Sequence, residues 1–266
     1  MSVAPSRARV LDPQRYHASF VRSVRSELRK LTNLRSFWIQ SGAMVIIYAL
    51  IMWAVGASQN VVLGGTNLLS AQAVTTGISF IIIIPIVIGA GAVTNEYSSN
   101  TMRTTVLADS SRSRSYFAKL AAVGIVTGAL NLVVTVVSAL SYMIVVGGRW
   151  DFGDGNGRAL VMFWAMMTVG AVMATSLGYI IRSTAGTITV AMLFLFVSQA
   201  IVIINLDWVR ETLVHYMPVN VLTYATSTGS FGNGDGLSWS TAGIAWVVYA
   251  VVIGILGLIR YRRSDI

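Results

Sequence analysis

Cysteine is absent from this 266-residue chain, which excludes disulfide frameworks and thiolate metal sites. Lysine is nearly absent: it stands only at Lys30 and Lys119. Neither closes a G-x-x-x-x-G-K pattern, so the chain carries no ATP-binding signature of its own. Charge of either sign is scarce, at 11% of residues, where a soluble domain carries about a quarter. The long apolar windows contain no Asp, Glu, Lys or Arg at all. Proton- and ion-driven carriers usually keep a buried ionisable residue in their path, so an energy source outside the chain is expected. What remains is 55% hydrophobic residues and a mean hydropathy of +0.70. That composition belongs to an integral membrane protein.

A bilayer-crossing helix needs roughly 20 apolar residues, and the charge-free windows supply six spans. Arg35 to Glu96 leaves sixty uncharged residues, enough for two spans with SQNVVLGGTN as the turn between them. The remaining windows run between Lys119 and Arg149, Arg158 and Arg182, Arg182 and Asp207, and Asp235 and Arg260. The expected architecture is all-α, with spans at 36–57, 71–93, 117–147, 159–181, 183–205 and 239–260. A cytoplasmic segment at 94–116, an outer re-entrant stretch at 207–238, a cytoplasmic tail with an amphipathic helix at 1–35 and a basic cytoplasmic tail at 261–266 complete it. Eight Lys/Arg precede residue 36 and no small-residue cleavage site follows the first apolar run, so the first span is read as retained rather than as a signal peptide.

With both termini and the stretch 94–119 inside, sixteen of the nineteen Lys/Arg fall on the cytoplasmic face and only Arg149, Arg158 and Arg210 outside. The positive-inside rule favours that orientation. It also accounts for a pI near 10.3 through span flanks and anionic headgroups, without nucleic acid.

Before the first span, Phe20, Val24, Leu28 and Leu31 recur at helical spacing, opposed by Arg22, Arg25 and Arg29. The pattern predicts an amphipathic helix lying in the membrane interface. Gln40, Gln72, Asn131 and Gln199 are the main large polar groups in or near the spans, and interhelical hydrogen bonding is their default role. Gly124 with Gly128, and Gly170 with Ala174 and Gly178, repeat small residues every fourth position and predict close helix approach. In the outer loop, Asp151, Asp154 and Asn156 do not follow calcium-loop spacing. The stretch 207–238 carries Trp208, Tyr216 and Tyr224, as a segment at the outer leaflet would.

The hydrophilic stretch TNEYSSNTMRTTVLADSSRSRSYFAKL, residues 94–120, lies between two apolar runs. Ser98 or Ser99 can cap a short helix whose Met102, Val106 and Leu107 make one apolar face, rimmed by Arg103 and Arg112. Such a face is exposed to water unless another protein covers it. This stretch resembles the region after the second span in permease subunits of ABC type-2 exporters, through Glu96, Thr101, Met102, Arg103, Leu107, Arg112 and Lys119. The family often has Gly where Asn100 stands and Pro where Ser110 or Ser111 stands. SELRKLTNLRSFW is similar to that family's elbow helix, with Phe20, Val24, Leu28 and Leu31 on its apolar side, and RYRRSDI to its C-terminus.

The resemblance implies a plasma-membrane permease that pairs with a second copy or a related permease and binds two separate ATPase subunits. Those subunits hold ATP and Mg, so no cofactor or metal is expected in this chain. Glu96, Thr101, Met102, Arg103, Val106, Leu107, Asp109 and Arg112 become the expected contact with the ATPase through a coupling helix, and Gln40 and Gln199 candidates for the transport path. Two rivals stand beside this reading. One is a secondary carrier or channel. The other is an intramembrane serine protease using Ser79 and His215, which lacks a G-x-S-G motif.

Overall fold

Apolar windows of this length fold as helices because hydrocarbon offers backbone N–H and C=O groups no partner, and only a helix satisfies them within one segment. The computed structural model describes residues 19–63, 68–69, 71–75, 77–99, 101, 111–147, 149–150, 155–201, 212–228 and 236–263. Side chains at 59–63, 68–69, 149–150 and 198–201 lie outside that description. In chain order the helices are α1 (Phe20–Thr32), α2 (Arg35–Leu63), α3 (Ala71–Thr75), α4 (Ile78–Ile81), α5 (Ile83–Ser98), α6 (Arg112–Val146), α7 (Asn156–Ile181), α8 (Thr184–Ile201), α9 (Pro218–Thr226) and α10 (Trp239–Arg262). Two-residue strands, β1 (Leu68–Leu69) and β2 (Arg149–Trp150), pair in parallel.

Among the described residues, four helices are long and apolar enough to cross a bilayer: α2, α6, α7 and α10. A fifth crossing exists if Ala71–Ile81 and Ile83–Ser98 form one broken span, bent by 43°. The expected second span is thus not a straight rod. The run is interrupted first at Gly77, whose φ of 80° lies in the left-handed region that glycine adopts without a Cβ penalty, and the bend itself falls at Ile82, between α4 and α5. The apolar part of α8, Thr184–Val197, is shorter than a full crossing.

Helix ends follow local chemistry. The Ser111 hydroxyl accepts from the Arg114 N–H to open α6, and Gly147, with a φ of 68°, closes it. The Ser238 hydroxyl accepts from the Thr241 N–H to open α10. Both caps satisfy backbone groups that a helix end leaves without an intrahelical partner.

The centre of the bundle is α7, packed by α5, α6 and α10. Its small residues make this possible. A Cβ added to Gly89 would lie 2.1 Å from the Ala171 carbonyl oxygen, and one added to Gly257 would lie 2.8 Å from that of Ser176. These two glycines therefore set how closely α5 and α10 approach α7. Gly124 and Gly128 of α6 face Val172 and Thr168 of α7, and Trp164 Nε1 donates to the Gly128 carbonyl at 2.8 Å.

Outward faces stay apolar. Ile39, Ile46, Leu50 and Trp53 on α2, and Ile244, Val248, Val252 and Ile259 on α10, are exposed. Contiguous apolar surface on this scale is foreign to a monomer in water and suits hydrocarbon.

Side-chain hydrogen bonds define two ends of the bundle. At one end the Asn156 side chain accepts from the Ala71 N–H (2.9 Å), Gln72 accepts from the Thr228 N–H (3.1 Å), and Arg158 donates to the Ser227 carbonyl (2.9 Å). Here α9 packs among α4, α7, α8 and α10, with Val221, Leu222 and Ala225 buried. The opposite end gathers α1, the C-termini of α5, α7 and α10, and the N-terminus of α6. Chemistry concentrates there.

Candidate functional site

An acidic residue inside an apolar helical stripe must find a counter-charge or stay in water, and α1 contains one. Glu27 follows Val24 by three residues and precedes Leu31 by four, so all three share a face. Leu31 is buried, and Val24 and Leu28 are half-buried, against Ala92 of α5, Ala122 and Val123 of α6 and Ala171 of α7. Arg22, Arg25 and Arg29 are exposed on the other side, and Phe20 is exposed as well. Glu27, pulled down with its stripe, is only 5% exposed.

Its partners come from three helices. Lys119, in the second turn of α6 and 2% exposed, places Nζ 2.8 Å from Glu27 Oε2 and 2.6 Å from Glu96 Oε1, and it also donates to the Ala92 carbonyl at 3.3 Å. Those three contacts use the three donors of the ammonium group. Lys30, one turn along α1 from Glu27, reaches Glu27 Oε1 at 2.6 Å and Glu96 Oε1 at 3.2 Å. The four groups close a ring of alternating sign: Lys119, Glu27, Lys30, Glu96. Each charge has two opposite neighbours, and the ring is neutral overall. Both lysines of the chain belong to it.

Burial works against ionisation of Glu27, but the Lys119 and Lys30 ammonium groups outweigh it and hold the carboxyl below its ordinary range. Burial likewise disfavours the Lys30 ammonium, and its contacts with Glu27 and Glu96 more than compensate, raising its pKa. Glu96 Oε2 is buried without a hydrogen-bond partner among the described residues. A cleft of about 430 Å³ lies beside the ring, with Leu34, Gly91, Asn95, Ser99 and Thr101 completing its walls. The Ser99 and Thr101 hydroxyls are 2.9 Å apart.

A second set of contacts ties the same end together. Tyr97, Tyr116, Tyr179 and Tyr261 pack as an aromatic cluster joining α5, α6, α7 and α10. The Arg182 guanidinium lies 5.5 Å from the Tyr97 ring centroid. Arg182 itself adopts a φ of 63° at the end of α7, a left-handed conformation uncommon outside glycine. Arg112 donates to the Arg262 carbonyl at 2.9 Å, and Arg262 Nε donates to the Ser113 hydroxyl at 2.8 Å.

Of the residues singled out from the sequence, Glu96 sits in the ring, Thr101 on the cleft wall, and Arg112 at the junction of α6 and α10. Met102, Arg103, Val106, Leu107 and Asp109 lie outside the described residues. Gln40 is half-buried near the start of α2, and the Gln199 side chain lies outside the description. Asn131 makes an interhelical hydrogen bond to the Thr168 hydroxyl at 3.2 Å, whereas Gln72 of α3 accepts from the Thr228 N–H, two residues beyond the end of α9. His215 meets the Tyr224 hydroxyl at 3.0 Å, and no hydrogen bond joins it to Ser79. Among the described residues, no group of three His, Cys, Asp or Glu could hold a metal ion.

Sequence reasoning missed Glu27 and Lys30. The signal was present as a carboxylate at stripe spacing, with a lysine three residues later and another lysine at the start of the third span.

A family model described as "Protein of unknown function (DUF2705)" matches residues 34–266. The chain belongs to that family. No curated protein matches it.

Proposed function

We propose that this DUF2705 chain is the membrane-spanning permease subunit of an ATP-driven ABC exporter, forming the substrate path and coupled to a separate ATPase chain. The observation that carries the reading is the charge ring. Glu96 ends the helix before the 100–110 stretch, and Lys119 begins the helix after it. The ring clamps both roots of that stretch to each other and to α1 through Glu27 and Lys30. A push delivered by a soluble motor to residues 102–109 therefore moves α1, α5 and α6 as one body rather than flexing a loop. Such a linkage suits a coupling helix, and a merely solvated connection has no use for it.

The remaining parts of the reading fit around this. Six spans follow if the bent α3–α5 run is one crossing and α8 a further one, with α9 as a short segment returning into the outer end. Both termini and the ring then face the cytoplasm at the plasma membrane. The apolar face of α2, including Ile39, Ile46, Leu50 and Trp53, meets a second permease copy or a related permease. The ring lies at the end of the bundle, away from the mid-depth position where an ion-driven carrier keeps its ionisable group.

The test uses Leu107→Ala, Arg103→Ala and Arg103→Glu at matched expression. The measurements are pull-down of a co-expressed ABC ATPase subunit and ATP-driven export. Loss of a buried leucine contact, worth about 1–3 kcal/mol, should weaken both with Leu107→Ala. Arg103→Ala should be milder and salt-sensitive, and Arg103→Glu worse. Unaltered pull-down and export in all three variants would reduce the stretch to a linker and remove the basis of the proposal.

A further inference from the structure

On the same end of the bundle, but on its outer wall, α6, α7 and α10 leave a groove of about 370 Å³. Phe117 and Leu120 form one side, Val172 the floor, and Val251, Ile255 and Leu258 the other side. No side chain stands at Gly254, where a Cβ would meet nothing closer than the Ser176 hydroxyl at 4.0 Å. The polar atoms behind the groove are already engaged: the Tyr116 hydroxyl bonds the Ser176 hydroxyl at 3.0 Å and donates to the Gly254 carbonyl at 2.8 Å. A ligand seeking hydrogen bonds gains little here. An apolar chain loses nothing.

The groove's length and its surroundings narrow the occupant. Along α10 it extends from Val247 to Leu258, about 16 Å at 1.5 Å per residue. That is about half of the roughly 30 Å hydrocarbon core, the depth of a single leaflet. It begins at the end where Arg112, Ser113 and Arg262 interlock. Arg114, Arg260 and Arg263 stand in the same terminal turns, against Asp109 and Asp265 as the nearest carboxylates in sequence.

We infer that this groove is a binding site for an anionic phospholipid of the inner leaflet, with one acyl chain between α6, α7 and α10 and the phosphate at the Arg112–Arg262 junction. Arginine suits this position because its planar fork matches phosphate oxygens. The site rests on the membrane-spanning reading and on the placement of the arginine end at the cytoplasmic face. It does not depend on an ATPase partner, so failure of the exporter proposal leaves it standing.

The experiment incorporates the full-length protein into nanodiscs of equal phosphatidylglycerol and phosphatidylcholine, followed by native mass spectrometry of retained lipid. Wild type should retain phosphatidylglycerol preferentially. Arg262→Gln should lower that preference about fivefold, the factor for one arginine at an anionic surface. Val251→Trp, at a position 53% exposed and so free of core disruption, should obstruct the acyl chain and lower retention of the same lipid. Equal retention of the two lipids by wild type, or unchanged retention in both variants, overturns the site. So does efficient cross-linking between two copies through Val251→Cys, because a second chain would then cover the groove.

Discussion

Replacing Lys119 by Met tests the ring most directly. Methionine keeps the length and apolar stem of lysine and removes only the ammonium, leaving Glu27 and Glu96 facing each other in a site where Lys119 is 2% exposed. Breaking a buried ion pair by deleting one partner costs about 3–5 kcal/mol, because the remaining charge stays buried without compensation. Lys30 still contacts both carboxylates, at 2.6 and 3.2 Å, so the lower part of that range is expected. The same substitution at Lys30, whose side chain is 41% exposed, should cost no more than about 1 kcal/mol. The assay is thermal unfolding in detergent, together with trypsin cleavage at the exposed Arg22, Arg25 and Arg29 of α1. Lys119→Met should lower the midpoint and release α1 to cleavage, and adding Glu27→Gln should restore part of both by removing the orphaned charge. The reasoning is refuted if Lys119→Met behaves as a surface change, within about 0.5 kcal/mol, or if the two substitutions are simply additive.

Three further outcomes follow from the same geometry. The depressed pKa of Glu27 means that its contribution is complete above the ordinary carboxyl value of 4.5 and is lost as pH falls below it through the folded-state value. A spin label at Arg29→Cys should therefore become mobile on acidification below about 4.5, and unchanged mobility would show that the ring does not hold α1. Gly89→Ala places a Cβ 2.1 Å from the Ala171 carbonyl, an overpacking that should cost about 1–3 kcal/mol or more; an unshifted melting midpoint would contradict the α5–α7 approach. Because the chain has no cysteine, single cysteines at positions 154 and 233 should react with an impermeant thiol reagent on intact cells and one at 109 should not, with labelling at 109 reversing the orientation.

The membrane-spanning helical class was legible because it depends on composition and window length alone, and α6, α7 and α10 fall within a few residues of the expected spans. The break in the second span was not legible. ISFIIIIPIVIG is uniformly apolar, and periodicity carries no information when every face is hydrophobic. Gly77, Ile82 and Pro85 sit near the bend, but the packing of α9 against α4 enters only in three dimensions. The small-residue repeats in α6 and α7 predicted close approach, and the partners at Thr168, Val172, Val93 and Thr94 supply it. Gly89 escaped notice because its critical neighbour is a backbone carbonyl on another helix.

At the site, charge counting found the basic end but treated each residue as a flank of its own span. The ring exists because α1 folds back beside α5 and α6, and nothing local to Lys119 indicates that Glu27, ninety-two residues earlier, will meet it.

A buried set of charges is weak evidence for stability, since apolar replacements of similar volume often serve as well or better. The ring therefore calls for an explanation in terms of geometry. The contacts of Val24, Leu28 and Leu31 are non-directional, and an apolar stripe can slide along or roll over the small residues Ala92 and Ala122 at little cost. The four charges cannot. A shift of one residue along α1 turns Glu27 about 100° away from Lys119 and leaves a fully buried ammonium with half its carboxylates. Apolar contacts thus bring α1 to the bundle, and the ring selects its register. If it acted on stability alone, restoring neutrality with Glu27→Gln in Lys119→Met would return α1 to full trypsin resistance. If it fixes register, thermal stability recovers while α1 stays more accessible than in the native chain. That separation distinguishes a helix that merely lies on the membrane end of the bundle from one that moves with it.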